Sequence, residues 1–409
     1  MVRALTIWLL IVSCSAFRLP ASRMRATSQS VSMIASPFNA NEYLRSPFAG
    51  GRWRTSLSTW TTVDCDMDAD GCLALCHDTG ECSIVAPVGL MQRLKVASYF
   101  ALWFLLSVGY SLSNKKVNNL LPCPCSVATS TVAVGSLFVG VLWLTGLRST
   151  PRLSSATLRT LLPIGLCHAI GHMAGTFSVA VGSVSFTQVV KAANPIYVCA
   201  LSAAILHQTV SPRVWLSLVP IVAGVALATV KELSFVWGAL IGAAASDLAM
   251  ALRNVLSKRS MGQLTDVDGR GLTSTDLFGL LTVISTLASV PIAIAVDGRA
   301  LPRVWSSAVA SVAGGGSDII AQMGLTGLLF YAYNEVAMMA LSNVHQVTHA
   351  VGGIIRRVVI MVASMAAFGT PMTPLGAAGS GLAISGSFLY AMVKYEEKQQ
   401  AQKAEIEVR

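Results

Sequence analysis

Nine titratable side chains lie inside stretches that are otherwise apolar: His172, Lys191, Asp247, Arg253, Glu335, His345, His349, Arg356 and Arg357. Lys191 sits near the middle of SVSFTQVVKAANPIYVCALSAAIL, from Ser183 to Leu206, while Arg356 and Arg357 interrupt the late apolar run VTHAVGGIIRRVVIMVASM. A charge at membrane depth is costly unless it faces a polar cavity or a partner, so such residues read as functional. With both acids ionised and the histidines neutral, Lys191, Arg253, Arg356 and Arg357 oppose Asp247 and Glu335, a net of +2. A cavity with that imbalance is poor when empty and good when it holds a dianion. Arg matches phosphate through paired N–H donors and Lys adds a mobile point charge, so phosphate and its esters fit. His172 and Tyr333 could donate to phosphate or ester oxygens, although each could equally be a satisfied packing residue. Structural ion pairs are the competing reading, for example Glu335 with either late Arg. Asp247 and Arg253 are six residues apart and share no helix face. His345 and His349 open the late run and read as helix-end or interfacial groups.

The elements that must hold these residues are membrane helices. Hydrophobic residues make up 54% of the 409 and charged residues only 12%, and mean hydropathy is +0.63. That is not the composition of a soluble domain. The formal charge of +10 could mean nucleic acid, but the basic residues form no stripe with interleaved aromatics, and no nucleic-acid partner is expected. Ten apolar segments are long enough to cross a bilayer, at about 95–113, 125–147, 158–180, 183–206, 213–230, 234–256, 274–296, 318–341, 346–368 and 374–394. An even number puts both ends of the bundle on one side. That side gathers Arg93, Lys95, Arg148, Arg152, Arg159, Arg213, Lys258, Arg259, Arg270 and the basic C-terminal tail, against Lys115, Lys116, Lys231, Arg299 and Arg303 opposite. Such asymmetry follows the positive-inside rule. The predicted fold is an all-α integral membrane protein of ten transmembrane helices arranged as two inverted five-helix repeats, with the site at the midplane between them. The repeats would cover about 93–232 and 233–396. Lys191 in span four and Arg356/Arg357 in span nine take equivalent places, and PIVAGVALA (Pro220 to Ala228) is faintly echoed by PLGAAGSGLA (Pro374 to Ala383). Pro195 would free backbone carbonyls near Lys191, which is tolerated where helices line a cavity.

Outside the transporter body of residues 93–396, residues 1–16 read as a signal peptide, with the apolar run Ala4 to Val12 behind Arg3. Residues 17–60 are rich in Arg and Ser and poor in acids, which is transit-peptide composition. Together they resemble the bipartite leader of proteins sent to complex (secondary) plastids, the alternative being a secretory signal followed by a disordered arm. Residues 61–92 form an acidic, Cys-rich linker. Asp66, Asp68, Asp70 and Gly71 open like a calcium-binding loop, but His77 stands at its twelfth position. Cys65, Cys72, Cys76, His77 and Cys82 have irregular spacing for zinc. A solvated linker is the expected reading, with no metal and no cofactor. Residues 397–409 are a charged, helical, solvated tail.

Several stretches carry a family resemblance: Ser113-Asn-Lys-Lys116, Cys167-His-Ala-Ile-Gly-His172, Val184-Ser-Phe-Thr-Gln-Val-Val-Lys191, Ala251-Leu-Arg253, Tyr333-Asn334 and Thr348-His-Ala-Val-Gly-Gly-Ile-Ile-Arg-Arg357. Spread from about 95 to 395, they resemble the plastid triose-phosphate/phosphate translocators of the drug/metabolite transporter superfamily. The resemblance implies ten helices and strict counter-exchange of inorganic phosphate with a phosphorylated three-carbon compound across a plastid envelope membrane. It also implies that Lys191, Arg356 and Arg357 bind phosphate and that His172, Arg253 and Tyr333 contact the substrate. The chain departs from the pattern at Gln188 (usually His), Asn194 (Glu), Gly175 (a hydroxyl residue), Glu335 (Gln) and Arg356 (Lys). Gly175 and Glu335 bear on which end group is accepted, and Gly-His at Gly171-His172 argues against the phosphoenolpyruvate branch. The rival readings are a translocator for pentose or hexose phosphates, a Golgi nucleotide-sugar carrier and, from another class, a membrane metal sensor or scaffold.

Overall fold

The computed structural model describes residues 73–76, 82–85, 90–230, 235–260, 272–344, 346–370 and 372–407. The predicted leader, most of the Cys-rich linker with its metal-like spacings, His345 and Arg270 lie outside the described residues. The chain divides into two compact units, residues 18–97 and a helical body of residues 98–409. Within the first, β1 (Leu73–Cys76) and β2 (Cys82–Val85) form an antiparallel hairpin with Leu73 opposite Val85 and Cys76 opposite Cys82. The linker thus contains a short stretch of regular structure.

Twelve α-helices follow among the described residues: α1 (Leu90–Leu120), α2 (Pro124–Leu144), α3 (Ser155–Val181), α4 (Val184–Val190), α5 (Asn194–Leu206), α6 (Pro212–Val230), α7 (Trp237–Ser260), α8 (Ser274–Asp297), α9 (Leu301–Ser311), α10 (Gly315–Asn343), α11 (Gln346–Phe368) and α12 (Pro374–Glu407). The described residues give nine stretches long and apolar enough to cross a membrane, α4 and α5 counting as one, Val184–Leu206. They correspond to nine of the ten expected spans. The tenth, expected at 318–341, is the 29-residue helix α10. At 1.5 Å per residue it is about 44 Å long, enough for a bilayer. It falls short in apolarity because Asp318, Gln322, Tyr331, Tyr333, Asn334 and Glu335 all lie on it.

Helix contacts follow small residues. α12 lies against α6, α7 against α3, and α8 and α10 against α2. A Cβ on Gly224 would stand 2.3 Å from Ala383 N and 2.6 Å from Gly379 O, and one on Gly379 would stand 2.5 Å from Ala228 N and 2.7 Å from Gly224 O. The two echoing segments of the sequence therefore face each other, backbone on backbone. Lipid gives no hydrophobic drive for helices to associate, so contact at this distance is how they gain packing energy.

Lys115 and Lys116, expected in a loop, lie within α1, which runs on to Leu120. Lys115 Nζ donates to the carbonyls of Val179, Ala180 and Gly182 at 2.8, 3.2 and 2.8 Å. The last carbonyls of a helix have no partner within it and carry the negative end of its dipole, so a lysine is well placed there.

Candidate functional site

The break in the fourth span sets the site. Ser183 caps α4 by accepting from the Phe186 N–H at 3.1 Å. α4 ends at Val190, residues Lys191–Ala193 make one 3₁₀ turn, and α5 restarts with a proline in its first turn. Pro195 lacks an N–H and its ring is best placed in the first turn of a helix, which suits a restart just after Lys191. A Cβ on Gly175 of α3 would lie 2.9 Å from Lys191 Nζ and 2.9 Å from Ser246 Oγ. The ammonium thus occupies the room any side chain at 175 would fill. Ser246 Oγ of α7 donates to Gly171 O at 2.7 Å and ties α7 to α3 beside it.

Arg356 and Arg357 are neighbours on α11, about 100° apart around the helix, and they turn to different elements. The Arg356 guanidinium lies over Trp103 at 5.3 Å and over Tyr333 at 5.6 Å. Its Nη1 donates to Ser107 Oγ at 3.4 Å, and its buried Nε has no hydrogen-bond partner among the described residues. Arg357 lines a cleft with Gln188, Ile354 and Ser387. Both arginines lie within electrostatic range of Lys191.

Tyr333 packs on Tyr110 and Phe330, with ring centroids 5.3 and 5.7 Å away. His172 is buried, its ring 4.4 Å from Phe330. Its Nε2 has no hydrogen-bond partner among the described residues, and the ring lies within range of Lys191 and of the Ala128 backbone. Arg253 Nη1 is 3.1 Å from His168 Nδ1, and Nε and Nη2 donate to Asn254 Oδ1 at 3.2 and 2.8 Å. Five of the six residues singled out by sequence thus share one buried neighbourhood: His172, Arg356 and Arg357 lie within electrostatic range of Lys191, and Arg356 lies over Tyr333. Arg253 stands at its edge, absent from the charges that act on Lys191.

The two acids separate. Glu335 pairs with Arg148 rather than with either Arg of α11, and Arg148 Nη1 donates to Tyr331 Oη at 3.2 Å. Two positions apart on a helix is about 200° of rotation, so Tyr333 can face the site while Glu335 faces the loop after α2. Glu335 is consequently not placed to read a substrate's end group. Asp247 instead lies within range of both Lys191 and Arg357.

The model for the triose-phosphate transporter family matches residues 94–391. The chain belongs to this family. It is 35% identical to the phosphoenolpyruvate/phosphate translocator 1 of Oryza sativa subsp. japonica over 77% of this chain and 76% of that protein. It is also 35% identical to the triose phosphate/phosphate translocator of Pisum sativum, over 78% of this chain and 79% of that one. A third relative, the glucose-6-phosphate/phosphate translocator 1 of Arabidopsis thaliana, is 34% identical over 74% of this chain and 76% of its own length. The protein is thus a multi-span membrane transporter and not an enzyme.

Several residues that sequence reasoning did not place stand beside the candidate site residues. His168 precedes His172 by one helical turn, and that spacing is the signal which puts both on one face of α3. Trp103 and Ser107 of α1, which seat Arg356, gave no signal, because an aromatic and a serine in an apolar helix are ordinary packing residues. Trp103 also stacks on His349 at 4.7 Å, and His349 Nε2 lies 3.1 Å from Ala337 O, so that histidine is a packing group. Among the described cysteines, Cys123, Cys125, Cys167 and Cys199 are free thiols within or beside the spans.

Proposed function

We propose that this transporter is an antiporter of a plastid envelope membrane that exchanges inorganic phosphate for triose phosphates or 3-phosphoglycerate by alternating access. The observation that carries the reading is the convergence of Lys191, at the break between α4 and α5, with Arg356 and Arg357 of α11. Three cations at membrane depth with one acid in range need an anion, and the matching family and relatives named for phosphate exchange agree with a phosphate group. In this reading the phosphate lies between Lys191, Arg356 and Arg357, while His172, Tyr333 and Arg253 contact the rest of the molecule. His172 Nε2 and Arg356 Nε, buried with no hydrogen-bond partner among the described residues, are polar atoms such a ligand would satisfy.

Obligate exchange follows from electrostatics. Closing the empty site buries cations that nothing balances, which is costly, whereas either phosphate compound restores the balance and lets the carrier cross. Ten helices in two inverted repeats would supply the motion, with span four hinged at its 3₁₀ turn and the Gly224–Gly379 contact as a fixed pivot. Relatives named for three different organic phosphates are about equally similar, so the organic partner has to be read from the pocket.

The test is uptake of labelled phosphate into liposomes holding the purified protein. Uptake that needs internal phosphate and is competed by dihydroxyacetone phosphate supports the proposal. Uptake competed only by nucleotide sugars, or none at all, overturns it.

A further inference from the structure

Lys115 reaches from α1 to the end of α3, and nothing in the exchange mechanism uses the three hydrogen bonds it makes there. Its Nζ donates to the carbonyls of Val179, Ala180 and Gly182 at 2.8, 3.2 and 2.8 Å. Gly182 and the capping Ser183 form the corner from which α4 starts, and α4 leads to Lys191. Beside this tie lies an apolar layer. Val179 of α3, Val184 of α4 and Ile360 of α11 are buried together, with Val108 of α1 and Phe368 of α11 packed against them. Ser185 Oγ of α4 lies 3.2 Å from Ser364 Oγ of α11. Val184 stands seven residues before Lys191 and Ile360 three after Arg357. At 1.5 Å per residue the layer is therefore about 5–10 Å along the helices from the candidate site. Lys115 stands seven residues beyond Val108, further toward the same end of the bundle. α1, α3, α4 and α11 thus converge on this apolar layer, and one lysine ties them beyond it.

We propose that Lys115 is a latch that holds this end of the transport path shut and lets go when the carrier turns. The inference rests on the phosphate-exchange reading above. α7 opens the second proposed repeat as α1 opens the first, and it too carries a basic pair near its end, Lys258-Arg259 against Lys115-Lys116. Lys258 is exposed, and its one hydrogen bond among the described residues goes to Gln208 Oε1 at 3.5 Å. One lysine is tied to the end of a neighbouring helix and its counterpart is not. The chemistry of the tie suits a contact that has to break. The last carbonyls of a helix have no partner within it, and a lysine near a membrane surface can extend its ammonium to water. On release water takes over both sides of each hydrogen bond, so the net cost is small and no charge is left buried. Such a contact can bias two conformations without locking either.

The experiment follows the reactivity of the Lys115 amine in the purified wild-type protein. A water-soluble acetylating reagent is applied with and without saturating inorganic phosphate, and each lysine is read by peptide mass spectrometry. By the exchange reading the empty carrier does not turn and the phosphate-loaded carrier does. Phosphate is therefore expected to speed acetylation of Lys115 by about threefold or more, while the exposed Lys116 and Lys258 react fast in both conditions. A Lys115 rate that phosphate leaves unchanged shows a fixed helix cap and overturns the proposal. A second arm places a thiol in the apolar layer, Val184→Cys, and times its reaction with a water-soluble maleimide. Adding Lys115→Met is expected to speed that reaction about tenfold, whereas Lys115→Arg, which still donates to the carbonyls, leaves it slow. Equal rates with Lys115 kept and with Lys115→Met also overturn the proposal. If Lys115→Met does not fold, the wild-type arm decides alone. A wild type that exchanges no phosphate in liposomes overturns the underlying functional reading instead.

Discussion

Arg148 and Glu335 form an ion pair that joins the loop after α2 to α10 across 187 positions of sequence, each side chain at most 4% exposed. The burial of Arg148 works against its charge, but Glu335 and Tyr331 outweigh it and hold the guanidinium charged well beyond its usual range. Because Glu335 is engaged there, the site keeps Asp247 as its only nearby acid among the described residues.

Removing one member of that pair leaves the other buried and unpaired. Arg148→Met or Glu335→Gln should each destabilise the protein by about 3–5 kcal/mol, and Arg148→Met with Glu335→Leu should recover most of the loss. Thermal unfolding in detergent reads this directly. Single variants as stable as wild type contradict the pairing.

At Gly175 the cost should fall on binding and not on folding. The atoms a new Cβ meets include Lys191 Nζ, the far end of a flexible side chain, which can move aside cheaply. Gly175→Ser should leave the unfolding temperature nearly unchanged and raise the half-saturating phosphate concentration about tenfold, equivalent to about 1.4 kcal/mol. Exchange kinetics measured alongside thermal unfolding separate the two effects.

The opposite split is expected where α6 meets α12. Any side chain at Gly224 or Gly379 meets backbone of the facing helix, which cannot yield without parting the helices. Gly224→Val or Gly379→Val should therefore abolish or sharply reduce folded protein, as judged by size-exclusion profile. Gly381, whose added Cβ meets nothing within 4 Å, is the control. Gly381→Ala should be neutral or stabilise by about 0.5–1 kcal/mol, since alanine is the better helix former.

In the proposed exchange His168 would act on the substrate only through Arg253, whose Nη1 lies 3.1 Å from its Nδ1. His168→Ala should raise the half-saturating concentration of the organic phosphate about five- to tenfold, as expected for loss of one hydrogen bond to a charged group. Half-saturation for inorganic phosphate should change less, because Arg253 is not among the charges acting on Lys191. Equal effects on both substrates would place Arg253 on the phosphate itself.

The membrane class, nine of the spans and the cationic residues were legible because each rests on a local signal. An apolar run of span length and a charge inside it need no tertiary knowledge. Pro195 signalled freed backbone carbonyls near Lys191, but the division of span four into two helices joined by a 3₁₀ turn was seen only in the structure. The partners of the acids were not legible either. Glu335 and Asp247 both read as charges in apolar helices, and only packing decides that one meets Arg148 and the other faces Lys191 and Arg357. Trp103 and Ser107 stayed invisible because they matter for where α1 places them, not for their type. Lys115 was misplaced because α1 outlasts its apolar segment, and the lysine is satisfied by the end of another helix.

The central claim is that Lys191 and Arg357 hold one anion jointly, and a double-mutant cycle on phosphate binding tests it. Binding of inorganic phosphate to detergent-purified wild type, Lys191→Gln, Arg357→Gln and the double variant would be measured by titration calorimetry. A shared anion predicts that each single variant loses at least about tenfold in affinity, and that the double variant loses clearly less than the product of the two. Losses that multiply, or a single variant that binds like wild type, would contradict a joint site.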